Sequence, residues 1–228
     1  MAGPRQSLRA LVEGARGALK VFPLPGVVVF PGTPMPLHVF EPRYRAMTAD
    51  ALAGDRVMAV ATLRNAADAP QDRAPLHLIA GAAVIEREER LADGRYHIVL
   101  RGASRVRLRS ELDNGKPYRE FAAEVLEDRY PPEGPAALQD RVEALEQAVY
   151  ELTQVLPPES GAPELAQMAA RLRSPGRLAD LVAAAVVSEP EARLGVMAAL
   201  DVGRRLELVL SEVAGVLAAL SRGKGAKA

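Results

Sequence analysis

The chain contains no cysteine and no tryptophan, and only three histidines in 228 residues. Without cysteine there can be no disulfide, no thiolate metal ligand and no cysteine nucleophile. His38, His77 and His97 are scattered, and none stands at the spacing of a metal-binding pair. Each sits beside apolar residues in a strand-like stretch, which reads as a hydrogen-bonded structural histidine. Aromatic residues make up 4% of the chain, leaving few rings on which nucleic-acid bases could stack. Formal net charge is zero, so no whole-chain field favours nucleic acid or an anionic membrane. No apolar run reaches the roughly 18 residues of a membrane span, and MAGPRQSLRALVEGARGALK lacks the apolar core of a signal peptide. A soluble cytoplasmic protein is the expectation.

What is present in quantity is proline, and it is concentrated. The stretch Val21 to Arg45, VFPLPGVVVFPGTPMPLHVFEPRYR, holds Pro23, Pro25, Pro31, Pro34, Pro36 and Pro42. Such density normally marks loops, because proline fixes φ and removes a backbone donor. Here it alternates with bulky apolar residues that a disordered linker would lack. The pattern predicts a short buried strand at Val27–Phe30 between proline-braced turns, then an extended piece at Leu37–Phe40. A helix follows with Pro42 in its first turn, where a missing N–H costs least. Glu41 fits the start of that helix, where a carboxylate meets the positive dipole end, and Arg43 is placed to pair with it.

The hydrophobic period changes near Tyr130. Before it, segments alternate or run in short apolar bursts, as strands do; after it, they repeat at helical spacing. A leading amphipathic helix is read at Leu8, Leu11, Val12 and Ala15, with Arg5, Arg9 and Arg16 outside. Its basic face fits a membrane surface less well than a cap on the sheet. Strands follow at Val57–Leu63 and Leu76–Arg90, the second bulged at Gly81. Asp93-Gly94 supplies a hairpin turn, and Arg95–Leu100 returns from it. Val106 and Leu108 then alternate with Arg105, Arg107 and Arg109, and a last strand runs through Phe121, Ala123 and Val125. Tyr130-Pro131-Pro132-Glu133-Gly134-Pro135 reads as a linker. Beyond it, Leu138 to Leu156 and Val202 to Leu220 form two long apolar seams. Ser174-Pro175 and Asp201 are placed as helix starts, Ser188 to Glu191 as a capping box, and residues 223–228 as a disordered tail.

The proline-rich stretch resembles the amino-terminal, substrate-binding domain of the Lon protease family. There a "PL-P-x-x-V-x-F-P" strand precedes "P-L-x-x-F-E-x-R-Y", seen here as Pro23-Leu24-Pro25 through Phe30-Pro31, then Pro36-Leu37 through Arg43-Tyr44. The likeness continues through Gly94-Arg95-Tyr96, Arg101-Gly102, Arg105 and Ser174-Pro175-Gly176-Arg177-Leu178-Ala179-Asp180. The resemblance implies an α+β fold in a stand-alone form: an amino-terminal PUA-like small β-barrel followed by a carboxy-terminal helical bundle. On that layout, residues 1–19 are an extension or helix, 20–130 the barrel, 131–222 the helical part and 223–228 the tail.

Lon enzymes join this domain to an ATPase and a Ser–Lys protease, and neither machine can be found here. A phosphate-binding loop needs G-x-x-x-x-G-K-[ST], yet Lys20, Lys116, Lys224 and Lys227 all lie outside such a sequence. A Ser–Lys dyad needs a desolvated lysine, and these four adjoin turns or the polar terminus. The expectation is therefore a non-catalytic domain without cofactor or metal, binding unfolded polypeptide or a protein partner, as a monomer or weak homodimer. Met35, read as exposed between two prolines, and Tyr130, at the change of period, are the candidate wall residues of a polypeptide site; both types also serve as core. The alternative is an RNA surface built from Arg101, Arg105, Arg107 and Arg109. Cross-strand ion pairs to Glu120, Glu124, Glu127 and Asp128 explain the same arginines on a solvated face.

Overall fold

The computed structural model describes residues 7–225 other than 70 and 72. The expected extension over residues 1–6, Arg5 included, and the last part of the expected tail, 226–228, lie outside the described residues. The chain divides into two compact units, Met1–Glu127 and Asp128–Ala228. The first is a sheet with two helices and the second is helical, so the architecture is α+β.

The first unit runs α1 (Leu8–Ala15), β1 (Leu19–Leu24), β2 (Pro34–Val39), α2 (Pro42–Ala53), β3 (Val57–Thr62), β4 (Ile79–Arg90), β5 (Tyr96–Glu111) and β6 (Arg119–Val125). The strand order is β2-β5-β4-β3-β1-β6, and β6 also pairs with β5. The pairings from β5 round to β6 thus form a cycle, with β2 attached outside it on β5. Only β1 and β3 are parallel; the other pairs are antiparallel.

β3, VMAVAT, is buried at every position. Successive strand side chains point to opposite faces, and here each face has its own core. Val57, Ala59 and Ala61 join Val12 and Ala15 of α1. Met58 and Val60 join Tyr44, Met47 and Ala51 of α2. A continuous apolar run is what a strand covered on both faces requires.

Val28–Phe30 is buried and Val27 half-buried, but the segment is not a strand. It crosses β4 and β5 at two glycines. A Cβ at Gly81 would stand 2.0 Å from the Val29 carbonyl oxygen, and one at Gly102 2.0 Å from that of Phe30. The crossing is held by local bonds instead of a ladder. The Thr62 hydroxyl donates to the Val27 carbonyl at 2.6 Å. Gly32 N–H bonds the Gly102 carbonyl, and Gly102 N–H the Thr33 carbonyl. The strand that does form, β1, contains Pro23. It lies beyond the last β1–β6 pair, Val21 with Arg119, where one edge of the strand is unpaired and a missing donor is tolerated.

Two further expectations shift. The register breaks in β4 fall between Ala82 and Ala83 and between Ile85 and Arg87, not at Gly81. The return strand and the arginine-bearing strand are one element, β5, because β4 and β6 together pair along its whole length.

The second unit has a 3-10 turn at Pro135–Leu138, then α3 (Gln139–Val155), α4 (Ala162–Arg171), α5 (Pro175–Val186), α6 (Pro190–Ala198) and α7 (Val202–Gly225). The seams are its core: Leu138, Leu145, Val149 and Leu152 are buried, as are Val202, Leu206, Val209 and Val213. Asp201 Oδ1 accepts the Arg204 N–H at 2.8 Å, and Ser174 Oγ faces the Arg177 N–H at 3.5 Å. The capping box expected at Ser188 does not form; Glu189 takes the N-cap position and makes no side-chain cap. α7 extends to Gly225, so the expected tail begins as helix.

Candidate functional site

β2, PMPLHV, is an edge strand, and its burial alternates: Pro34, Pro36 and His38 are exposed while Met35 and Leu37 are half-buried. Its partners extend the outer face over three strands. Pro36 stands opposite Val99, which stands opposite Arg87; His38 stands opposite His97, which stands opposite Glu89. Between these rows lies a groove of about 400 Å³. Pro36, Leu37, Ile98 and Val99 give it an apolar floor, and the histidines and the Arg87–Glu89 run of β4 form its rims. Phe40 follows β2 and is 59% exposed, the most exposed large apolar side chain among the described residues.

The rim is tied together by specific contacts. The His38 and His97 rings lie 4.8 Å apart, and Phe40 stacks on His38 at 5.9 Å. Arg95 Nη1 lies 3.3 Å from His38 Nε2. A guanidinium has only donors, so in this contact the imidazole nitrogen is the acceptor. His97 Nδ1 is 3.5 Å from Glu89, and Glu88 is paired with Arg56. Pro34 and Pro36 leave the free edge short of two donors, which blunts it against pairing with another strand.

The F-E-P-R-Y corner explains why Phe40 stands out. Glu41 is the N-cap position of α2 and Pro42 opens the helix. Arg43 Nε donates to Glu41 at 3.1 Å, as the sequence suggested. Its guanidinium lies 4.6 Å above the Tyr44 ring, and Tyr44 packs on Phe22 at 4.3 Å. With Tyr44 anchored in the core, the strand-to-helix corner is fixed and Phe40 is left in solvent.

The residues singled out from the sequence fall in both units. Met35 is half-buried and packs on the core, because the period of two turns Pro34 and Pro36 outward in its place. Tyr130 belongs to the second unit, with its hydroxyl 3.5 Å from Ser174 Oγ. Of the four arginines, Arg101 meets Glu86 at 3.0 Å and the Gly32 carbonyl. Arg107 and Arg109 share Glu124. Arg105 is buried, so it is no part of a solvated ladder. Of the expected carboxylate partners Glu124 serves; Glu120 bonds Asn114, Glu127 bonds Arg9 and Asp128 bonds Arg205.

A second, more polar recess of about 510 Å³ lies where β5 turns into β6. Arg119 holds Glu111 through two nitrogens at 2.9 and 2.8 Å. Beside it, Lys116 and Tyr118 both donate to Asp50 Oδ2 at 2.6 Å. The Lys116 bond, then that of Tyr118, holds the Asp50 carboxyl below its ordinary range. Burial and the Asp50 carboxylate push the Tyr118 hydroxyl up. These groups satisfy one another. Among the described residues no cluster of three or more His, Asp or Glu could hold a metal ion, and no helix is long and apolar enough to cross a membrane.

Sequence comparison matches residues 18–215 to the family model of the ATP-dependent protease La (LON) substrate-binding domain. Lon protease 2 of Myxococcus xanthus is 32% identical over 84% of this chain, and Lon protease 2 of Thermus thermophilus 31% over 84%. The chain spans about a quarter of the curated relatives it matches, 23% of each of these two. Among solved structures, the N-terminal domain of a Mycobacterium avium complex Lon protease has a similar fold, with TM-score 0.66 and 20% identity over 86% of this chain and 98% of that one. The Lon N-terminal domain protein of Xanthomonas campestris aligns with TM-score 0.59 and 19% identity over 85% and 97%. The chain belongs to the Lon substrate-binding domain family.

Proposed function

We propose that this chain is a non-catalytic recognition domain that binds polypeptide segments in the cytoplasm and acts as an adaptor or regulator of proteolysis. The observation that carries this reading is the apolar groove over Pro36 and Val99 beside the exposed Phe40. An apolar floor with a few polar groups at its rim is the usual form of a site for a side chain of a partner. Met35 lies beside Pro36 in β2 and supports the floor from the core side. Family membership supports the same reading, and we take the cycle of strands as a PUA-like small barrel followed by a helical bundle.

The RNA alternative finds less support, since Arg101, Arg107 and Arg109 are engaged by carboxylates and Arg105 is buried. The test is fluorescence anisotropy with a labelled, permanently unfolded polypeptide. Wild-type protein binds it, and binding persists at about 0.5 M salt, beyond the reach of surface electrostatics. Phe40→Ser combined with Val99→Glu lowers affinity by about tenfold with unchanged thermal midpoint. Equal binding by that variant would remove the groove from the reading.

A further inference from the structure

The β4 rim of the groove carries a cation in the row of the apolar floor. Of the rim carboxylates, Glu88 is paired with Arg56, and Glu89 stands in the neighbouring row, 3.5 Å from His97 Nδ1. Arg87, exposed on the same rim, meets no carboxylate among the described residues. It stands directly opposite Val99, which stands directly opposite Pro36, so the cation lies one strand away from the apolar floor. Neighbouring strands are about 4.8 Å apart, and same-face side chains of an extended peptide, two residues apart, are separated by about 6.7 Å, a difference the long Arg87 side chain can span. Capture by strand addition is disfavoured because Pro34 and Pro36 lack edge donors. Side chains must then supply the specificity.

From this juxtaposition we infer that the groove takes an extended segment carrying an apolar side chain with an acidic residue two positions away, the apolar group on Pro36 and Val99 and the carboxylate on Arg87. The inference rests on the polypeptide-binding reading and adds the chemical class of the segment. A basic residue at that position is repelled by Arg87, and Glu88 is already paired with Arg56. A bidentate guanidinium–carboxylate contact suits the planar geometry of both groups.

The experiment uses two labelled peptides with the same apolar side chain, one with glutamate and one with lysine two positions away, titrated with the full chain. Wild-type protein binds the glutamate peptide about threefold more tightly at low salt, the scale of one exposed ion pair, and the difference closes at about 0.5 M salt. Arg87→Glu inverts the preference. Arg87→Gln, which keeps the side chain's length, removes it and carries the test if the charge reversal perturbs folding. Equal affinity for the two peptides, or an unchanged preference in Arg87→Gln, overturns the inference while leaving polypeptide binding intact. Failure of both peptides to bind a folded protein overturns the groove reading and the inference together.

Discussion

Arg205 grips Asp128 with both terminal nitrogens, at 3.1 and 2.5 Å, from a position with no solvent exposure. Its Nε donates to the Ala199 carbonyl at 2.9 Å, and the buried Asp180 lies 3.6 Å from Nη1. This explains the Ser-Pro-Gly-Arg-Leu-Ala-Asp segment in physical terms. Ser174 opens α5, Asp180 faces the guanidinium, and Gly176 makes room, since a Cβ there would stand 2.6 Å from Asp128 Oδ2. Breaking one side of a buried pair leaves the other charge stranded. Arg205→Ala is expected to destabilise the protein by about 3 kcal/mol, and Gly176→Ala by about 2 kcal/mol through overpacking. Urea unfolding checks both, and a loss below about 0.5 kcal/mol in Arg205→Ala would show that the network is not supporting the helices.

The contact between Gly81 and Val29 makes a second prediction. Backbone oxygen, unlike a flexible side chain, cannot step aside for a methyl group. Gly81→Ala and Gly102→Ala therefore have to lift Val27–Phe30 off the sheet or part β4 from β5. Each is expected to cost more than about 3 kcal/mol, in the range reserved for strained or overpacked cores. Gly215, where a Cβ meets nothing within 4 Å, is the control: Gly215→Ala lies within a helix and should stabilise by about 0.5 kcal/mol. Thermal unfolding of the three variants side by side checks the order.

Local patterns in the sequence revealed the elements whose causes are local. β3 declared itself by a run of small apolar residues, α2 by Pro42, α7 by Asp201 and the hairpin by Asp93-Gly94. Val27–Phe30 misled, because an apolar run signals burial and not which backbone partners the segment finds. β1 was hidden because Pro23 argues against a strand unless the unpaired edge is known. The groove was illegible for the same reason: His38, His97, Val99 and Arg87 are joined only by the register of three strands. Proline spacing suggests an exposed Met35 ahead of an extended piece at Leu37–Phe40, whereas the strand begins at Pro34. It could not say that the prolines, rather than the methionine, face outward.

Asp50, Lys116 and Tyr118 link stability to pH at both ends. Asp50 has its folded value below the unfolded one, chiefly through the Lys116 bond. Its contribution is complete above about pH 4 and is lost as pH falls through the depressed folded value. Tyr118 has its folded value raised, first by burial and then by the Asp50 bond. Its contribution is complete below about pH 10 and is lost as pH climbs toward that raised value. Tyr118→Phe should cost about 1 kcal/mol at neutral pH through one hydrogen bond to a charged group. It should also flatten the alkaline fall in thermal midpoint and shrink the acid limb, which the Lys116 bond still sustains. An unchanged alkaline limb in Tyr118→Phe would assign that fall to another group.

Glu124 decides how the arginines of β5 present themselves. Arg109 bonds it and Arg107 lies 4.0 Å from the same oxygen, so one carboxylate answers two guanidinium groups. Arg101 is answered separately by Glu86. Removing both carboxylates, with Glu86→Gln and Glu124→Gln, leaves Arg101, Arg107 and Arg109 on one strand without opposing charge. Exposed pairs of this kind contribute little to stability, at most about 1 kcal/mol each, so the double variant should fold normally. Its affinity for polyanions should rise, because charge neutralisation of phosphates sets the salt dependence of such binding. On a heparin column the wild type is expected to elute at low salt and the double variant distinctly later. Strong retention of the wild type would mean that the carboxylates do not mask the arginines, and would return the RNA surface to first place.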